Sequence, residues 1–305
     1  MKSIHKFLLV LALLASAAFH ATHAAAAIKV FACEPEWGAL ATEIGGDKVS
    51  VYAATTALQD AHHIEARPSL IARIRSADLV VCSGSELEVG WLPLLLTQSG
   101  NSKIQPGSPG YLEASQFVVR LEIPKVIDRS LGDIHPGGNP HIHLDPRNIA
   151  KVAGVLAERL ARIDPPNAAV YQAASKAFLQ RWQEAIGRWE RDGARLKGVP
   201  IVVYHKDLTY FINWMGMREV GSLEPKPGIP PTPSHLAEMV DQMKREPAKV
   251  IVYSAYNSPQ AAEFLSGRTG IPAVMLPFTV GGSDKAKDLS GLFDDTINRL
   301  LAAVK

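Results

Sequence analysis

From Ala168 to about Leu196 the chain runs without a proline through alanines and charged residues, nearly thirty positions of helical character. At 1.5 Å per residue such a helix would reach about 43 Å, longer than one small domain. A rod of that length can lie along two lobes and hold them almost rigid. On either side of it short apolar runs alternate with helical stretches, the pattern of a parallel α/β sheet. Before the rod, the spacing predicts strands at Lys29–Ala32, Val49–Ala53, Leu79–Cys82 and Phe117–Leu121. Helices are expected there at Trp37–Ile44, Pro68–Ser76, Leu87–Thr97 and from Pro146 to about Ile163. After the rod, strands are expected at Ile201–Tyr204, Glu219–Leu223, Val250–Tyr253 and Ala273–Leu276. The matching helices are Leu208–Met215, Pro233–Arg245, Ser258–Thr269 and Leu289–Val304, the second opened by Thr232 as cap and Pro233 in the first turn. The expected fold is two parallel-sheet α/β lobes, 27–165 and 199–305, joined by one long backbone helix within 166–198, with a cleft between the lobes.

The amino terminus reads as a secretion signal spanning 1–26: Lys2 and Lys6, an apolar stretch from Phe7 to Ala18, then mostly small residues. Its apolar core falls short of the roughly 20 residues that a membrane span needs. Cys33 follows Val-Phe-Ala, and the bulk of Phe31 fits lipid attachment poorly. The mature chain is expected to be soluble and exported. Removing Lys2 and Lys6 takes the formal charge from +2 to zero. A neutral chain without a basic run argues against nucleic acid or an anionic membrane surface as partner. About 280 mature residues suit two domains, and the apolar fraction of 47% is that of a globular protein.

Two cysteines occur, Cys33 and Cys82, each late in a strand-like run. They are too few for a zinc-finger cluster. In an oxidising compartment they can pair, and in a doubly wound order the first and third strands lie side by side, close enough for a bridge. The alternative is two buried free thiols.

Three histidines end strand-like runs far apart in the chain: His62 in Asp60-Ala-His-His-Ile-Glu65, His141 in Asn139-Pro-His-Ile-His-Leu-Asp-Pro146, and His205 in Ile201-Val-Val-Tyr-His205. A single histidine after a strand is most often an ordinary, satisfied polar residue. Three converging imidazoles would suit a borderline-soft divalent cation such as Zn2+.

These segments carry a resemblance to a known family. Asp60-Ala-His62-His-Ile-Glu-Ala-Arg-Pro68-Ser resembles the Asp-Pro-His-x-Tyr-x-x-x-Pro-Ser segment of the periplasmic zinc or manganese solute-binding proteins of metal ABC importers, the cluster A-I family. Asn139-Pro-His141-Ile-His-Leu-Asp-Pro is similar to that family's Asp-Pro-His-x-Trp-Leu-Asp-Pro, and Tyr204-His205-Lys-Asp-Leu-Thr-Tyr-Phe to its third-ligand segment. The run Ala77-Asp-Leu-Val-Val, then Gly84-Ser-Glu-Leu-Glu and Trp91, follows the family as well, and the long helix looks like its backbone helix. The resemblance spans essentially the whole mature chain. It implies His62, His141 and His205 as metal ligands, Zn2+ as the transported ion with Mn2+ second, the membrane subunits of an ABC permease as partner, and no catalysis. The expected working unit is a monomer.

Three departures stand out. The family's fourth ligand is an acid in a late Leu-Asp-Pro run, where this chain has Leu276. Water, Asp284 in the loop just beyond, or His143 would then complete the sphere, with His143 ranked last. His143 replaces a usual tryptophan and His63 follows His62 directly; these, with His135 and His235, are expected to play supporting or ordinary structural parts. The His/Asp-rich loop of zinc-specific members is missing, and the short Asp133-Ile-His135 segment lies where an auxiliary cation trap would sit. A secreted zinc hydrolase would use the same three histidines and a bound water, although the chain has no His-Glu-x-x-His helix or Gly-x-Ser-x-Gly elbow. A periplasmic zinc chaperone serving an apo-enzyme is the nearer alternative.

Overall fold

The computed structural model describes residues 26–128, 130 and 132–304; the expected secretion signal, apart from Ala26, lies in residues 1–25, outside them. In the first lobe, β1 (Ile28–Ala32), α1 (Pro35–Gly45), β2 (Val49–Ala53), α2 (Pro68–Arg75), β3 (Leu79–Cys82), α3 (Leu92–Ser99) and β4 (Tyr111–Glu113) follow in turn. The strands form one sheet of order β2-β1-β3-β4 with every pairing parallel. Leu79-Val-Val-Cys82 is buried along its whole length, as a parallel strand covered on both faces must be. Helices α4 (Pro146–Ile163) and α5 (Ala168–Asp192) come next. The second lobe then comprises β5 (Pro200–Val203), α6 (Thr209–Met215), β6 (Arg218–Ser222), α7 (Pro233–Arg245), β7 (Val250–Ser254), α8 (Gln260–Thr269), β8 (Ala273–Leu276) and α9 (Leu289–Ala303). Its sheet has the order β6-β5-β7-β8, again all parallel, so both lobes share one topology.

The 25 residues of α5 correspond to about 37 Å at 1.5 Å per residue. Its buried residues, Tyr171, Ser175, Phe178, Trp182, Ile186 and Trp189, recur every three or four positions and form one stripe. That stripe packs on α1 and α4 of the first lobe and on α9 of the second. The rings of Trp182 and Trp189 lie 5.7 and 4.9 Å from Phe293 of α9, while Trp182 Nε1 donates to the Pro146 carbonyl at 2.7 Å. One aromatic cluster thus belongs to both lobes at once.

Among the described residues of the first lobe, two elements differ from the sequence expectation by more than two positions, and the long helix ends at Asp192, short of Leu196. The fourth strand of the first sheet is Tyr111–Glu113, not Phe117–Leu121. The earlier run wins because Leu112 fills the core, whereas Val119 is 72% exposed. Val118–Leu121 instead crosses towards the second lobe, where the Leu121 amide donates to the Tyr210 hydroxyl at 3.0 Å. The helix expected from Leu87 starts only at Leu92, because Trp91, at a φ of −141°, has a non-helical backbone, and Pro93 then sits in the first turn. Within the first sheet, Ala32 pairs with Val81, and one residue further Cys33 and Cys82 are joined by a disulfide with Cα atoms 4.8 Å apart.

Candidate metal centre

Parallel sheets offer ligand sites at the carboxyl ends of their strands, and His62, His141 and His205 meet there, between the lobes. His62 follows β2. Asp60 accepts the His62 amide at 2.9 Å and faces His62 Nδ1 at 2.7 Å, a turn that aims the ring inwards. Trp91 Nε1 steadies the same turn through the Ala61 carbonyl at 2.9 Å. Burial raises the Asp60 pKa, but its bonds to the ring and amide of His62 and to the His63 ring outweigh this and hold the carboxyl well below the usual carboxylate range.

His205 stands two residues beyond β5, with Glu224 Oε2 2.7 Å from its Nδ1. The same oxygen accepts the Gly228 amide at 2.8 Å. Burial pulls the His205 ring down, but the Glu224 bond and the charges of Asp207, Glu224 and Asp60 prevail and raise its pKa. Asp207, itself buried, accepts the hydroxyls of Ser254 and Tyr256 and is pushed up by burial.

His141 enters from the loop before α4. Its amide donates to Asn139 Oδ1 at 3.0 Å, while Asn139 Nδ2 reaches across to the Lys206 carbonyl at 2.7 Å. Tyr210 adds a second crossing, donating its hydroxyl to the Asn139 carbonyl at 2.8 Å. One asparagine therefore carries His141 to His205. The Asp145 cap on the Arg147 amide at 2.9 Å, with Pro146 in the first turn, starts α4 immediately afterwards.

The three ring centroids form a near-equilateral triangle with sides of 5.4, 5.6 and 5.6 Å. One nitrogen from each ring lies within 4.8 Å of the other two. His141 is 2% exposed, and neither of its ring nitrogens has a hydrogen-bond partner. Burial, then the neighbouring His62 and His205 rings, drive its pKa well down, which keeps it neutral and able to ligate. Buried polar atoms are ordinarily satisfied. An orphaned imidazole facing two carboxylate-oriented imidazoles fits a divalent metal ion, in the carboxylate–histidine–metal arrangement that fixes tautomer and ring angle.

The other candidates lie elsewhere. His143 sits 3.1 Å from Glu36 Oε1 through Nδ1 and 3.0 Å from the Phe278 carbonyl through Nε2, so both nitrogens point away from the cluster. Glu36 also accepts the Thr279 hydroxyl. These contacts join α1 to the segment after β8 and keep His143, the last-ranked candidate for fourth ligand, away from the three rings. Asp284 is solvent-exposed and no member of the three-histidine group. Leu276 is buried in the second lobe's sheet, and Phe278, at a φ of 62°, turns its ring onto His141 at 5.5 Å. An aromatic wall therefore covers the side from which the family acid would come. His63 binds Asp60 Oδ2 at 3.0 Å, and His235 the Ser222 carbonyl at 2.9 Å. Sequence reasoning gave His135 a supporting part or a place in an auxiliary cation trap; its Nε2 lies 3.2 Å from His62 Nε2. Burial, then the His62 and His205 rings, push its pKa down to about 4. Glu224 was missed as well; nothing in Ser222-Leu-Glu224 marks it as the partner of a histidine nineteen residues earlier.

Two α/β lobes on one helix, gripping a cluster of imidazoles between them, define a metal-binding protein of the bilobed solute-binding class. Over residues 30–303 the chain matches the family described as zinc-uptake complex component A, periplasmic, and it belongs to that family. It is 22% identical over 248 residues to the high-affinity zinc uptake system protein ZnuA of Bacillus subtilis, covering 80% of this chain and 76% of that one. It is 26% identical over 212 residues to the manganese-binding lipoprotein MntA of Halalkalibacterium halodurans, covering 68% and 64%. A crystal structure of ZnuA superimposes with a TM-score of 0.76 at 22% identity, over 92% of this chain and 100% of that one. The Mn-bound periplasmic metal-binding protein from Candidatus Liberibacter asiaticus gives 0.73 at 18% identity, over 91% and 100%. The family is one of metal-binding transport proteins and not of enzymes. No helix among the described residues is long and apolar enough to cross a membrane.

Proposed function

We propose that this protein captures Zn2+ in the periplasm through His62, His141 and His205 and delivers it, as a monomer, to the membrane permease of an ABC importer. The observation that carries the reading is the buried His141 ring, whose two unpartnered nitrogens face the rings of His62 and His205. The ion is cargo, held by side chains of both lobes. Imidazoles favour zinc over manganese, which prefers more oxygen donors. The carboxylates touching the cluster, Asp60 and Glu224, are each bonded to the Nδ1 of a ligand ring. They orient ligands and are not free to activate a water, which supports transport over hydrolysis. The pairing of Cys33 with Cys82 leaves both thiols out of the site and suits an oxidising compartment. Competition titrations of the purified protein with zinc and manganese test the reading. It requires one zinc per chain, zinc preferred over manganese, and loss of binding in His141→Ala.

A further inference from the structure

The tautomers of two facing rings carry an inference that rests on the three-histidine reading and completes it. His62 Nδ1 is held by the Asp60 carboxylate, an acceptor only, so this nitrogen carries the proton and Nε2 presents a lone pair. His135 Nδ1 lies 3.1 Å from the Ser85 carbonyl, also an acceptor only, so His135 Nε2 presents a lone pair too. These two nitrogens stand 3.2 Å apart. In the neutral rings that ligation requires, neither has a proton to give the other, so their lone pairs repel unless a cation lies between. Two nitrogens each about 2.0–2.1 Å from one tetrahedral zinc are about 3.3 Å apart. The observed separation is thus that of two ligands on one metal.

We infer that His135 is the fourth ligand of the zinc site, taking the place left by the absent acid and making the sphere all imidazole. The segment carrying it is pinned to both lobes. The Asp133 amide donates to the Pro227 carbonyl at 2.8 Å, and Gly228, next in line, donates to the Glu224 oxygen that orients His205. At the other end, Gly138, at a φ of 94°, lies so close to the Leu121 carbonyl that no side chain fits. Gly137 lies on Ser85, whose left-handed backbone turns its carbonyl to His135. His135 also lines two cavities of about 470 Å³ each. One is walled by His141, His205 and Lys206, the other by His62, His63 and Glu86. It stands between them beside His62, just outside the three-histidine group whose nitrogens lie within 4.8 Å of one another. A fourth nitrogen in place of a carboxylate oxygen sharpens the preference for zinc over manganese.

The test is zinc-edge X-ray absorption and zinc competition titration on the full mature chain, as wild type, His135→Ala and His135→Asp. Wild type should show four nitrogen neighbours with the outer scattering of four imidazoles. His135→Ala should show three imidazoles and bind zinc about tenfold or more weakly, since losing even a supporting group at such sites costs that much. His135→Asp should regain zinc affinity and narrow the preference over manganese. A wild-type spectrum with three imidazoles, or zinc affinity in His135→Ala within about twofold of wild type, overturns the inference while leaving the three-histidine site intact. Zinc binding that survives in His141→Ala overturns that site, and this inference with it.

Discussion

His141→Leu separates stability from function. In the protein without metal, a ring 2% exposed holds two nitrogens with no partner. Each buried group left unsatisfied costs about 1–3 kcal/mol. Taking the low end for both gives about 2 kcal/mol of strain that a bound ion relieves. Leucine removes both polar atoms and keeps an apolar body against Phe278, whose ring now lies 5.5 Å from the imidazole. An imperfect fit would take back up to about 1.5 kcal/mol, leaving the metal-free variant more stable by about 0.5–2 kcal/mol. For a chain of this size that is about 1–8 °C in Tm. Zinc at a hundredfold excess over Kd stabilises the wild type by about 2.7 kcal/mol, which the variant forfeits. Calorimetry with chelator and with zinc should therefore show the order reverse: His141→Leu melts higher without metal and lower with it. A variant that melts below wild type in chelator, or keeps the zinc-induced rise, refutes the reasoning.

Alanine at His62 or His205 should weaken zinc binding at least about tenfold, or about 1.4 kcal/mol, whereas His235→Ala, whose ring is bonded to the Ser222 carbonyl in its own lobe, should leave affinity unchanged in the same titration. Glu224→Gln should weaken zinc binding by about 10–100-fold, because the amide no longer fixes His205 by charge, and an unchanged Kd would remove Glu224 from the site. Each imidazole must be neutral to ligate, so binding releases protons and affinity falls as pH drops through the histidine range near about 6.5. His205, whose pKa is raised, takes up the competing proton first. Titrations from pH 7 to pH 5 that show flat affinity would argue for oxygen ligands. Alkylation without reductant followed by mass spectrometry should find neither cysteine labelled. Reduction should lower stability by roughly 4 kcal/mol, given a sequence separation of 49 residues.

Much of this architecture can be read from the chain because its signals are local. Buried runs such as Leu79–Cys82 and Val250–Ser254 announce parallel strands, and the aromatic stripe of α5 announces the rod. His62, His141 and His205 are legible because each follows a strand or precedes a capped helix. What stays hidden depends on partners distant in sequence. Tyr111–Glu113 is too short for its pattern to outweigh the more apolar Phe117–Leu121. His135 lies in a glycine- and proline-rich loop without periodicity, and its meeting with His62 spans 73 positions. His143 held the last place among the fourth-ligand candidates, and the 3-10 turn Ile142–Leu144 that sets it beside Glu36 has no signal in the spacing. Phe278 adopts a left-handed backbone that no propensity assigns to phenylalanine.

Crystals of the full mature protein grown with equal zinc and manganese, measured by anomalous scattering at both metal edges, test the central claim most directly. The account predicts one zinc ion between the lobes, about 2.0–2.1 Å from a ring nitrogen each of His62, His141 and His205. Manganese at that position, or zinc bound elsewhere with the three rings empty, would contradict it.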